Sequence, residues 1–175
     1  GALHAPRAAR STRTLALMKD ECAHALASVA STLAPVLVPL GFQWRPGETG
    51  CSSGGPYATG SFVSDAISVG LIWRDGTGLG LPNYSTVSSM GDTVLAGHDS
   101  LMEQLGFEKR YRFRFNDEIA VWKPYSLTGG DLVEALQFDL QLIDHLLRSD
   151  HVAIRSAIAD AHKSRVEQLF AGAHS

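Results

Sequence analysis

The sequence predicts an α+β domain: an antiparallel sheet of about five to six strands, with helices packed mainly on one face, an N-terminal helix and a C-terminal helical hairpin. Three observations carry this. Apolar residues spaced by three and four open the chain from Leu15, a two-residue period dominates between Phe42 and Lys123, and the helical spacing returns after Gly130. Strands follow one another instead of alternating with helices, so a doubly wound parallel sheet is disfavoured. No internal repeat is visible.

The first helix rests on Leu15, Met18, Cys22, Leu26, Val29, Leu33 and Leu37. Pro35 and Pro39 remove donors and restrict their predecessors, so this helix should kink, loosen or end before Gly41. Phe42 and Trp44 alternate with Gln43 and Arg45 as a short first strand. Between Pro46 and Pro56, Gly47, Gly50, Gly54 and Gly55 with Ser52 and Ser53 predict a mobile connection. Strands are expected at 57–63 and 66–74 around a Ser64-Asp65 turn. Asp75-Gly76 then signals a hairpin, whose ladder runs through Leu79 and Leu81 until Pro82 stops it.

Ser100 and Glu103 have capping-box spacing before Leu101, Met102 and Leu105, with Gly106 as the C-terminal cap of a short helix. Tyr111, Phe113 and Phe115 alternate with Arg110, Arg112 and Arg114, and Asn116-Asp117 turns the chain toward Ile119 and Val121. Phe113 and Val121 are expected to share the sheet's apolar face with Val69 and Leu71. The closing hairpin uses Leu132, Val133, Leu136, Leu140, Ile143 and Leu147, then Ile154, Ile158, Ala161, Val166 and Leu169, with Ser149 or Asp150 as the second helix cap.

A chain of 175 residues fits one domain, and one this size buries roughly 70% of its unfolded surface without staples. Residues 18–175 are assigned to that domain. Residues 1–17 carry Arg7, Arg10 and Arg13 and no acid, a transit-like composition expected to be a disordered arm or a start-site artefact, since Gly1 is no natural start and Met18 stands at the junction. With 45% hydrophobic and 19% charged residues, neither wholesale disorder nor a membrane protein is indicated, and no run approaches ~18 consecutive apolar residues. A net charge of −3 disfavours bulk attraction to nucleic acid or an anionic membrane. Cys22 and Cys51 form no CxxC pair, and the N-terminus has no apolar signal core, so a reducing cytoplasm is the expected compartment. Oligomeric state is not specified by the sequence.

Every catalytic motif fails on its surroundings. Gly50-Cys51-Ser52-Ser53-Gly54 has the letters of a nucleophile elbow but neither the buried strand before it nor the helix after it. Gly76-Thr77-Gly78-Leu79-Gly80 lacks the following helix that a phosphate-cradling loop requires. Asp144-His145, Asp150-His151 and His162 do not align two ligands on one helix face, so no metal and no cofactor is predicted.

The most specific local feature is the basic run from Lys109 to Phe115. In a strand its rings and guanidiniums point to opposite faces, which favours a solvated or acid-pairing arginine face over base stacking. The candidate partner- or ligand-binding residues are therefore Arg74, Arg110, Arg112 and Arg114. Trp73, Tyr84 and His98 mark the alternative, a cleft for a small molecule or a hydrolytic reaction.

The residues Leu40-Gly41-Phe42, Gly60-Ser61-Phe62, Leu79-Gly80-Leu81, Tyr84, His98 and Met102 resemble those of small uncharacterised bacterial proteins, some proposed as immunity partners of secreted toxins. The likeness covers the middle half of the chain. It implies an α+β fold and a partner-binding role, and it supplies no functional residues. The expected function is a non-enzymatic interaction protein whose partner presents an acidic surface, with no nucleic acid and no membrane.

Overall fold

The apolar stripe that opens the chain becomes helix α1, Arg7–Leu37, followed by a 3-10 turn at Val38–Leu40. This structure, a computed structural model, describes residues 7–87, 93–107, 113–116, 119–124, 130–149 and 151–172. Pro35 lies inside α1, and the helical path ends where expected, before Gly41. Gly41 has φ +93°, the N–H of Gly41 bonds Val38 O, and the N–H of Phe42 bonds Leu37 O, a paired closure that satisfies the last carbonyls. The helix begins at Arg7, so the segment expected to be an arm contributes its first turns. Thr14–Leu40 is long and apolar enough to cross a membrane by length and composition, a test that core helices also pass. Here the stripe Cys22, Leu26, Val29, Leu33 and Leu37 is buried within the domain core.

Six strands follow: β1 Gln43–Ser52, β2 Gly55–Val63, β3 Ile67–Arg74, β4 Gly78–Leu79, β5 Asn83–Val87 and β6 Thr93–Gly97. They form one antiparallel sheet in the order β1-β2-β3-β5-β6, with β4 paired to β3. Two corrections to the sequence reading arise here. The glycine-rich stretch after Pro46 is not a mobile connection; most of it is β1, which turns at Ser53-Gly54 into β2. Its glycines are needed for close approach: a Cβ on Gly50 would meet the Tyr57 hydroxyl, and one on Gly47 would meet the Thr59 side chain. A register shift between Pro46 and Thr49 absorbs the irregularity, and Thr59 Oγ1 accepts from the Glu48 N–H at 3.1 Å. The second correction is that β4 already ends at Leu79 and pairing resumes beyond Pro82, where β5 and β6 continue the sheet.

Register places Trp44, Phe62, Val69, Tyr84 and Ala96 in one row across five strands. All but the half-buried Trp44 are buried, so this row is the centre of the inner face. Helix α1 packs on β1, β2 and β3, and the C-terminal helix α5, His151–Gly172, packs on β5 and β6. Trp44 lies against Phe62, with ring centroids 5.0 Å apart, and occupies the space that a side chain on Gly60 would need.

The short helix α2, His98–Gln104, ends as expected. Gly106 has φ +82°, its N–H bonds Glu103 O, and the Phe107 N–H bonds Met102 O. Its start differs: Gly97 is the N-cap, the expected Ser100–Glu103 capping box is not used, and the Ser100 N–H bonds Asp99 Oδ1. Strands β7, Phe113–Asn116, and β8, Ile119–Pro124, pair with each other as a separate two-stranded sheet. Phe113 and Val121 therefore do not extend the row that carries Val69. The closing helical segment is divided into α3, Gly130–Leu142, α4, Asp144–Ser149, and α5. Helix α3 packs on α1, where Gln137 Nε2 donates to Thr32 O at 3.3 Å. The proposed cap at Asp150 lies outside the described residues.

The Trp44–Gly60 contact makes a direct test. Gly60→Ala should lower unfolding free energy by about 2 kcal/mol in urea denaturation, because Trp44 must leave its site. Gly172→Ala, where a Cβ meets open space at the end of α5, should change stability by less than ~0.5 kcal/mol.

Candidate functional site

Seven residues were marked from sequence, and the structure separates them. Trp73 and Arg74 are neighbours on β3 and therefore point to opposite faces: Trp73 sits in register with Ala58 and Leu79 on the inner side, Arg74 with Tyr57 on the outer. Tyr84 and His98 come together, each 0% exposed. The backbone of Arg114 lies in β7 opposite Lys123, so it shares no sheet with Arg74. Arg110 and Arg112 lie outside the described residues.

Tyr84 and His98 belong to a buried polar chain. The Tyr84 hydroxyl is 2.8 Å from His98 Nδ1, and His98 Nε2 is 3.0 Å from Oδ2 of Asp139, itself only 2% exposed. A carboxylate can only accept, so Nε2–H donates to it. The tyrosine hydroxyl and Nδ1 share the second hydrogen bond, whose direction follows the tautomer of the ring. The chain links β5, the first residue of α2 and the middle of α3, while the His98 backbone N–H bonds Pro82 O at 2.9 Å. Asp139 was missed from sequence, although its position was informative: it falls three residues after Leu136 and four before Ile143, on the apolar stripe of its own helix. An acid there needs a buried partner, and His98 is one.

This geometry resembles a proton relay in letters but not in access, since none of its three members reaches solvent. Two grooves lie elsewhere. One of about 170 Å³ runs between α2 and α5, lined by Asp99, Glu103, Arg165 and Gln168 among others. Another of about 160 Å³, at the β2–β3 turn, is lined by Ser64, Ser68, Ser85 and Arg155. Among the described residues no group of three or more His, Cys, Asp or Glu side chains is placed to hold a metal. His162 instead bonds the Leu95 carbonyl through Nδ1 at 2.8 Å, tying α5 to the β6 edge.

The outer face is built differently. Register aligns Arg45, Ser61, Gly70 and Asn83 in one row, and Gln43, Val63, Ser68, Ser85 and Leu95 in the next. Its larger side chains recline over glycines in the neighbouring strand: Tyr57 over Gly50, Thr59 over Gly47 and Ile72 over Gly80. At one corner the Arg74 guanidinium lies 5.4 Å from the centre of the Tyr57 ring and donates to Ser52 Oγ at 2.8 Å. The Tyr57 hydroxyl donates to Glu48 Oε1 at 3.3 Å.

No family model, curated protein or solved structure matches the chain. The reading of the site rests on its own geometry. Both cysteines are free: Cys51 is exposed on β1, whereas Cys22 is buried on α1 with its thiol 3.7 Å from Pro56 O. Burial pushes the Cys22 thiol up from its ordinary value, and the negative charge of Asp75 adds to the effect.

Two outcomes follow from these environments. Asp139→Ala leaves a buried imidazole without its acceptor and should cost about 3 kcal/mol of stability, whereas Tyr84→Phe should cost about 1–2 kcal/mol, both read from chemical denaturation. In native protein near neutral pH, iodoacetamide should label Cys51 and spare Cys22 until the chain is unfolded, as peptide mass mapping would report.

Proposed function

We propose that this chain is a non-enzymatic, cytoplasmic protein-interaction domain of the immunity type, which holds a protein partner on the outer face of its sheet. The observation that supports this reading is a five-strand face that register makes small and polar, levelled by Tyr57, Thr59 and Ile72 lying over glycines, with Arg155 of α5 near its β2–β3 end. Five strands of five to ten residues, spaced by about 4.8 Å and rising about 3.3 Å per residue, give roughly 600 Å² of flat surface. A stable interface uses about 800 Å² per partner, so the face with its adjoining turns supplies a sufficient footprint.

The alternative, a ligand cleft or hydrolase centre near Trp73, Tyr84 and His98, is less well supported. Tyr84 and His98 are sealed in the core, and their hydrogen-bonding groups face each other and Asp139. The helices serve the inner face, leaving the outer one available.

Affinity capture from the source cells tests this with three proteins: wild type, Ser61→Arg on the outer face, and Glu134→Lys on the exposed side of α3. Wild type and the α3 variant should recover the same partner, and Ser61→Arg should lose it. Recovery unchanged by Ser61→Arg would reject the outer face as the docking surface. For the immunity role, co-expression of wild type should restore growth arrested by a co-encoded toxin, and Ser61→Arg should not.

A further inference from the structure

The geometry points to a carboxylate receptor at the Arg74 corner, so that the partner is a protein presenting an Asp or Glu side chain to it; this rests on the reading of the outer face as a docking surface. Arg74 is held before any partner arrives. Its guanidinium is stacked on Tyr57 and bonded to Ser52 Oγ, and Tyr57 is itself fixed between Gly50 and the Glu48 carboxylate. The rotamer freedom that an arginine usually loses on binding is therefore already reduced by folding. A guanidinium has five N–H donors in a planar fork, and Ser52 takes one of them. A carboxylate is the acceptor that matches the remaining fork with two parallel bonds.

The charges around the corner agree with that choice. Register places Arg45 and Arg74 on the outer face with Thr59 and Ile72 in the row between them, and Arg155 of α5 lines a groove with Ser68 and Ser85. Glu48 stands at the rim with an oxygen engaged by the Tyr57 hydroxyl, while Asp65 and Asp75 lie in the turns at opposite ends of β3. A nucleic acid backbone needs a track of cations. Arginines set apart by uncharged residues suit single carboxylates on a folded surface. Tyrosine and arginine together are also the side chains most often found at the energetic centre of an interface.

The test is titration of the full, ¹⁵N-labelled chain with N-acetylated hexaglutamate, hexaserine and a short oligothymidine, using wild type, Arg74→Gln and Arg74→Lys. Hexaglutamate should perturb the amides of Ser52, Gly54, Tyr57 and Arg74, with affinity about tenfold weaker in Arg74→Gln. Arg74→Lys, which keeps the charge without the fork, should fall between the two. The unperturbed remainder of each spectrum confirms that the variants are folded. Equal perturbation of this corner by hexaserine would overturn the carboxylate receptor and leave a docking face of other chemistry. Tighter binding of oligothymidine there would overturn it in favour of phosphate. Perturbation confined to other parts of the chain would remove both the receptor and the docking face.

Discussion

A buried tyrosine hydroxyl sets the arrangement of this molecule. Tyr84 occupies the central inner row of the sheet between Val69 and Ala96, where its ring adds to the core but its hydroxyl must find a partner. His98 supplies that partner from the first residue of α2, and Asp139 supplies the next from α3. Each link is forced by the one before, because an unmatched polar group at that depth costs more than the bond itself returns. The polar chain thus ties the end of the sheet to a helix 41 positions further along the sequence. The segment between His98 and Asp139, which includes the basic strand β7, is closed at its base by this link.

The two faces of the sheet divide the work. Inward positions are mainly apolar, and they join α1, α3 and α5 in one core. Outward positions are hydroxyls, glycines and a few long side chains laid flat. Flatness here is in part a consequence of sequence: Tyr57, Thr59 and Ile72 point outward beside Gly50, Gly47 and Gly80, which leave room to receive them. The same glycines make β1 look like a loop when read alone.

That explains which parts of the fold the sequence disclosed. Helical stripes survive as patterns because many residues repeat the same spacing, and α1, α2, α3 and α5 were readable on that basis, as were β2 and β3. The start of β1 was legible as the short strand at Phe42 to Arg45, but its continuation was hidden by glycines whose role depends on Tyr57 and Thr59 across the ladder, a contact that no local period records. Strands β5 and β6 were hidden because each is five residues long and Pro82 suggests a stop just before them. Of the candidate site residues, the sequence marked Tyr84, His98 and Arg74 without indicating which of them share a site. It misjudged the setting of the first two, whose pairing needs Asp139 from a distant helix. The separation of β7 from the main sheet was equally invisible, since both arrangements require the same alternation.

One face of this sheet is covered by the core and the other is open to solvent. Paramagnetic relaxation by a soluble gadolinium chelate measures this most directly in the isolated protein. Side-chain protons of Ser61, Ile72, Ser85 and Leu95 should relax strongly, while those of Phe62, Val69 and Tyr84 should be protected. Protection of Ser61 and Ile72 to the same degree as Phe62 and Val69 would mean that the outer face is covered, and the account would fail.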